Sequence, residues 1–248
     1  MKKTMIFLIC SILYSSLWAI PTQGLAGYWQ GDGTAQDTSI YGSHGTLVGD
    51  TVYDTGYFGQ AFKFDGNEDY VRIGNPSQLN FTSAMSFSAW IKPLGGGSSP
   101  TWGGILINKE NSYEIARNEA GYIIWAFNNP SPGWTWINTN IYTPLNVWSH
   151  ITLTYQNGIV KTYLNGSLQH TYNGSGNLAI QNSEFWIGAR QGGGQRFHGL
   201  MDEVAVYDVA LDASQSIQLM TTTSVPEPCS WMLVLSVLAC LLFQKYRK

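Results

Sequence analysis

From His150 to Gly166 the chain alternates and then doubles back twice. In His150-Ile151-Thr152-Leu153-Thr154-Tyr155 the apolar and polar residues take turns, the period-two pattern of a strand with one buried face. Gln156-Asn157-Gly158 then offers residues that tolerate positive φ, Ile159–Leu164 runs back, and Asn165-Gly166 repeats the turn chemistry. Similar short runs recur along the chain at Ala26–Gln30, Ala61–Phe64, Tyr70–Ile73, Met85–Lys92, Ile105–Asn108, Tyr113–Arg117, Tyr122–Asn128, Glu184–Gly188 and Leu200–Tyr207, separated by Gly, Asn, Asp or Pro. A helix is predicted only at Asp212–Leu219, with Asp212 as N-cap and Gln215 three residues on. About a dozen short strands with almost no helix predict an all-β fold, two antiparallel sheets packed face to face.

Composition fits that reading. Charged residues are 12% of the chain against the usual ~25%, while aromatics reach 14% and glycines number 27. The glycine-rich stretch Gly95–Pro100 is read as a loop, because strand-like sequence continues on both sides. All three cysteines (Cys10, Cys229, Cys240) lie near the ends, so the central region has no disulfide. Between Leu25 and Ser224 there are 15 acids and 8 Lys plus Arg, a net charge of −7, which argues against a nucleic-acid partner.

Both ends read as addresses. Lys2-Lys3, an apolar run from Met5 to Leu17 and the small Ala19 describe a secretory signal peptide, assigned to residues 1–24, with an uncleaved anchor as the alternative. Near the other end, Val225-Pro226-Glu227-Pro228 precedes an apolar run from Trp231 to Phe243 and a basic Lys245-Tyr246-Arg247-Lys248. This tail, residues 223–248 with a transmembrane segment at 229–243, is similar to the PEP-CTERM sorting signal of Gram-negative bacteria. The resemblance implies processing by an exosortase-type enzyme. It also implies export to the cell envelope or extracellular matrix, with membrane anchoring at least transiently.

The central region, 25–222, resembles a LamG-like jelly roll of the concanavalin A-like lectin/glucanase superfamily. The ordered set that carries the likeness is Ala26-Gly27-Tyr28-Trp29, Asp37-Thr38-Ser39, His44-Gly45-Thr46, Ala61-Phe62-Lys63-Phe64-Asp65-Gly66 and Met85–Pro93, followed by Trp148-Ser149-His150, Lys161–Gly166, Trp186-Ile187-Gly188 and Phe197–Tyr207. It implies two sheets of about six or seven strands each. It also places Trp29, Trp90, Trp148 and Trp186 at core positions. Finally, it implies a structural Ca²⁺ held by Asp37 and Asp202, since that ion needs six to eight hard oxygens; Asp32 and Asp65 are weaker candidates. Alternatively, Asp37 caps its own turn.

For ligands, Trp102, Trp134 and Trp136 stand out beside the Asn- and Pro-rich stretch Asn128–Trp134, because sugar C–H faces pack on rings while amides and carboxylates take the hydroxyls. The alternative is that these rings are core, which is the expectation for Trp125. No catalytic residue is assigned. Glu110, Glu114 and Glu119 lack the Glu-x-Asp-x-x-Glu spacing that aims two carboxylates into one cleft, and Asp202 and Glu203, being adjacent, should face opposite ways. The expectation is a non-enzymatic module for adhesion or for binding carbohydrate or protein. A purely structural matrix protein and a divergent glycan hydrolase are the alternatives.

Overall fold

The computed structural model describes residues 19–222. The signal-peptide run before Ala19, the sorting tail and its membrane segment lie outside them. Fifteen strands form two antiparallel sheets. The larger is ordered β13-β12-β11-β6-β15-β4-β3, where β13 is Ser167–Asn173, β12 Ile159–Leu164, β11 Ser149–Gln156, β6 Ala84–Pro93, β15 His198–Tyr207, β4 Gln60–Asp65 and β3 Val52–Thr55. Its eighth strand, β1 (Leu25–Trp29), pairs with the second half of β15, beyond the end of β4. The seven-stranded sheet is ordered β10-β9-β8-β7-β14-β5-β2, where β10 is Ile137–Tyr142, β9 Tyr122–Phe127, β8 Tyr113–Arg117, β7 Gly104–Lys109, β14 Phe185–Ile187, β5 Tyr70–Gly74 and β2 Thr46–Val48.

The two turns read from the sequence form as expected. Asn157 and Gly158 have φ of 50° and 94°, and Asn165 and Gly166 have φ of 48° and 76°, the positive values that a tight hairpin turn requires. The core between the sheets is aromatic and aliphatic, with Trp29, Phe62, Phe87, Trp125, Phe127, Tyr155 and Phe185 buried in it. Trp125 is therefore core, as expected.

The one helix among the named elements, α1 (Ala213–Thr221), starts on a complete capping box: Asp212 accepts from the Gln215 backbone and the Gln215 side chain accepts from the Asp212 backbone. It packs on the outer face of the eight-stranded sheet with Ile20, Leu25, Tyr28, Tyr207 and Leu211. Ile20 is 2% exposed, so the packed unit begins ahead of Leu25.

Candidate functional site

Because strand side chains alternate, the register of the seven-stranded sheet fixes which residues share its outer face. One row of directly opposed residues runs Ala126–Glu114–Asn108–Trp186–Arg72 across β9, β8, β7, β14 and β5. Two residues further along, a second row runs Ile124–Ala116–Ile105, and Trp136 packs over it.

The first row has a polar centre. The Arg190 guanidinium grips Glu110 with both ends, Nε to Oε2 at 2.9 Å and Nη2 to Oε1 at 2.7 Å, and lies 3.1 Å from Glu114 Oε1. Asn108 Nδ2 donates to Glu114 at 2.6 Å, and its own Oδ1 accepts from the Gln191 backbone at 2.9 Å. Burial pushes the Glu114 carboxyl up to about 8, and neighbouring Glu110 adds to the shift against the pull of Arg190. Burial also raises Glu110, but its bonds to Arg190 and Glu114 outweigh that and hold it below the usual range. One cation thus bridges two carboxyl groups, one held low and the other pushed up.

Aromatic rings flank this centre. Trp186 stacks on Tyr70 with centroids 4.1 Å apart and planes at 20°. Its indole N–H donates to Glu184 Oε2 at 2.8 Å, and the same carboxylate accepts from Arg72 Nε at 2.8 Å. Arg196 lies 5.5 Å over the Tyr70 ring. At the other side Trp102, 42% exposed, stacks on Trp136 at 6.0 Å and 22°. Trp134 is half-buried in the preceding loop and outside that stack.

Of the expected rings, then, Trp102 and Trp136 meet. Trp186 is a correction: it is not core but half-buried on the outer face. The sequence held the signal, since in Phe185-Trp186-Ile187 the buried neighbours on both sides send the middle residue the other way. The Glu110–Arg190 contact left none, the partners being 80 positions apart.

The acids on β15 also differ from expectation. Asp202 and Glu203 do not face opposite ways. The register slips between Asp202 and Ala205, and Glu203 takes φ 55°, so a β-bulge turns both side chains to the outer face of the eight-stranded sheet. Met201 and Val204 on either side remain in the core. Glu203 accepts from the Tyr28 hydroxyl, and burial pushes its carboxyl up to about 8. Asp202 Oδ2 accepts from the backbone of Tyr57 and Phe58 at 2.8 and 2.9 Å. Burial raises its carboxyl to about 7, against those bonds and with help from nearby Asp32.

Asp37 fits an ion poorly. Its Oδ1 accepts from Tyr28 and Ser39 backbone at 2.9 and 2.8 Å, and its Oδ2 from Ser39 Oγ and Ser43 backbone at 2.9 and 2.7 Å. Its strong acceptor positions are filled by its own turn, the alternative raised above, and by Tyr28 of β1. Asp202 keeps a buried Oδ1 without a partner.

A model of the concanavalin A-like lectin/glucanases superfamily matches residues 65–215. The chain belongs to this superfamily. No curated protein matches it individually. Among solved structures, domain 4 of the extracellular arabinanase AbnA from Geobacillus stearothermophilus, in complex with arabinotriose, is 23% identical with a TM-score of 0.63, over 79% of this chain and 98% of that one. The binding domain of Paraclostridial Mosquitocidal Protein 1 is 17% identical with a TM-score of 0.66, over 79% of this chain and 52% of that one. The binding domain of botulinum neurotoxin DC in complex with SialylT is 15% identical with a TM-score of 0.62, over 81% and 51%. The chain thus spans about half the length of these toxin binding domains. At such identities the likeness is one of fold.

Proposed function

We propose that this superfamily member is an exported, non-catalytic module that binds carbohydrate on the outer face of its seven-stranded sheet. The observation that carries the reading is the Trp186–Tyr70 stack beside the Asn108, Glu110 and Arg190 cluster, with Trp136 and Trp102 one row away. Rings offer apolar faces to sugar C–H groups, and the held amide, carboxylate and guanidinium offer fixed donors and acceptors for hydroxyls. A solved domain of the same fold in complex with arabinotriose supports the ligand class. Binding to an envelope protein is the second reading, supported by a solved toxin domain of the same fold in complex with synaptotagmin II.

Non-catalytic is the better reading of the carboxylates. Hydrolysis with retention needs two carboxyls ~5–5.5 Å apart with a sugar between them. Here Glu110 and Glu114 share one arginine, and the Glu114 side chain is 0% exposed. Export, sorting by an exosortase-type enzyme and residence in the envelope or matrix follow from the end segments.

The test is a glycan array probed with protein recovered from its native envelope, its two termini read by mass spectrometry. Binding to at least one polysaccharide is expected, weakened about tenfold or more by Trp186→Ala, a loss of roughly 1.4 kcal/mol. Absence of binding to every glycan, or an unchanged Trp186→Ala, sinks the carbohydrate reading. Untrimmed ends sink the export reading.

A further inference from the structure

Outside the aromatic face, three carboxylates converge where the chain crosses twice between sheets. The first crossing is the turn from β2, in the seven-stranded sheet, to β3, in the eight-stranded one; it carries Asp50. The second is the connection from β4 back to β5, between Asp65 at the end of β4 and Asp69 just before β5. Because β2 pairs antiparallel with β5 and β3 with β4, both crossings sit at the same end of the sandwich. Ligand oxygens of Asp50, Asp65 and Asp69 all lie within 4.8 Å of one another.

Three carboxylates at that spacing repel unless something neutralises them. Among the described residues no ion pair reaches them: Lys63 is paired with Asp54, and the remaining ion pairs involve Arg72 and Arg190. Asp50 and Asp65 are exposed, but Asp69 is 2% exposed. One Asp69 oxygen, Oδ2, accepts from the Asp65 backbone at 2.9 Å, whereas the other, Oδ1, is buried with no partner. A buried carboxylate oxygen left without a donor is costly, and it needs an explanation.

The backbone adds an oxygen to the same spot. A Cβ on Gly49 would stand 2.6 Å from Asp69 Oδ1 and 2.7 Å from the Glu68 carbonyl oxygen, so these two oxygens crowd against one point. Gly49 has φ +74°, which a side chain would strain, and its bareness keeps the turn close to both oxygens. Hard oxygens in a carboxylate-plus-carbonyl set suit a hard divalent cation. Calcium binds oxygen at roughly 2.3–2.6 Å, so ligands on opposite sides of it stand about 4.8 Å apart. The three carboxylates lie within that reach of one another.

We infer that Asp50, Asp65 and Asp69 form a Ca²⁺ site that ties the β2–β3 turn to the β4–β5 connection and so pins one end of the sandwich. It is separate from the Asp202 position and independent of the carbohydrate face. Burial first, then the two neighbouring acids, holds the Asp69 carboxyl above its ordinary range, and a bound cation relieves the last two of these.

The test is calorimetric titration of the full chain with CaCl₂, together with thermal melts in Ca²⁺ and in chelator. Variants Asp50→Asn and Asp65→Asn alter exposed positions, and Asp32→Asn controls for the Asp202 region. Wild type should bind with a Kd of roughly 10⁻⁴–10⁻³ M, the range of extracellular calcium modules. Each cluster variant should weaken binding about tenfold or more and abolish the Ca²⁺-dependent rise in Tm, because site affinity follows carboxylate count. Asp32→Asn should retain both. No calcium binding by wild type up to millimolar concentrations overturns the inference, as do unchanged titrations in both cluster variants or a loss caused by Asp32→Asn alone. An Asp50→Asn chain that melts higher than wild type in chelator, with neither responding to calcium, also overturns it, showing instead a proton shared between Asp50 and Asp69.

Discussion

The outer faces of the two sheets are built from similar parts and end up unlike each other. Each holds buried acids shifted far above the ordinary carboxylate range: Glu114 on the seven-stranded sheet, Asp202 and Glu203 on the eight-stranded one. On the first, Arg190 compensates the charge and rings remain partly open to solvent. On the second, no ion pair reaches the acids among the described residues, and the acids themselves are sealed from solvent. Tyr57 stacks on Trp90 at 3.5 Å, α1 lies alongside, and Ser216 Oγ donates to Thr152 Oγ1 at 2.9 Å. Ser88 and His150 complete a buried polar layer. The comparison separates two uses of burying a carboxyl. A charge-compensated acid beside exposed rings can serve a ligand, whereas an uncompensated acid under a helix serves the fold and responds to pH.

The largest effect expected from breaking this contrast is at Arg190. Arg190→Ala leaves Glu110 and the fully buried Glu114 without their cation. Removing one partner of a buried pair costs about 3–5 kcal/mol, and the partial exposure of Arg190 places the loss at the lower end. For a domain of this size that corresponds to a fall in Tm of about 6–12 °C. The double variant Arg190→Met with Glu110→Gln should recover part of it, because Glu114 then stays neutral among neutral neighbours. A melt of Arg190→Ala within a degree of wild type would show that the cation matters little to this face.

The sealed acids give the next effect, and its sign follows from linkage. Asp202 and Glu203 have folded values of about 7 and about 8, above their unfolded values, so the folded state holds their protons longer. Stability from this source is present at low pH and is lost as pH rises through the unfolded values toward the folded ones. Glu114 acts in the same direction. His150 works oppositely: burial lowers it to about 3, so falling pH costs stability between the unfolded His range and that value. Above pH ~6.5 the acids lead, and the Lys109 ammonium, lowered by burial to about 8, opposes them only near and above that value, so Tm should fall from pH 6.5 to 8. Glu203→Gln keeps the shape and removes the titration, so its decline should be shallower and its Tm at pH 8 higher than wild type. A wild-type Tm that is flat across that window, or an identical slope in the variant, contradicts the assignment.

How much of this is legible in the sequence depends on how far apart the deciding residues lie. The Asn157-Gly158 and Asn165-Gly166 turns and the Asp212–Gln215 capping box are local chemistry, and each formed where read. The sandwich followed from the period of the strands. The face of Trp186 was encoded in its neighbours, but whether that face is covered depends on what packs across it, which periodicity does not report. The Asp202–Glu203 bulge broke a correct rule about alternation, because β4 and β1 share one side of β15 and meet at that point. The convergence of Asp50 on Asp65 and Asp69 required knowing that both connections cross between sheets at one end.

The smallest expected effect sharpens the map of the open face. Trp102 is stacked on Trp136, yet it sits in a loop and is 42% exposed, whereas Trp136 covers Ile105, Ala116 and Ile124. Truncating Trp102 therefore removes a partner from one side of a ring already seated on the sheet, and stability should move by no more than about 1 kcal/mol. Trp136→Ala uncovers an apolar row and should cost more. If the ligand lies along both rows, Trp102→Ala weakens binding about two- to fivefold, less than Trp186→Ala, because its loop must be ordered on binding. If the ligand sits only on the Trp186–Tyr70 stack, the same variant leaves affinity unchanged. Titrating one glycan against the three tryptophan variants separates these outcomes. A Trp102→Ala loss exceeding that of Trp186→Ala would move the binding centre to the Trp102–Trp136 stack and away from the polar cluster.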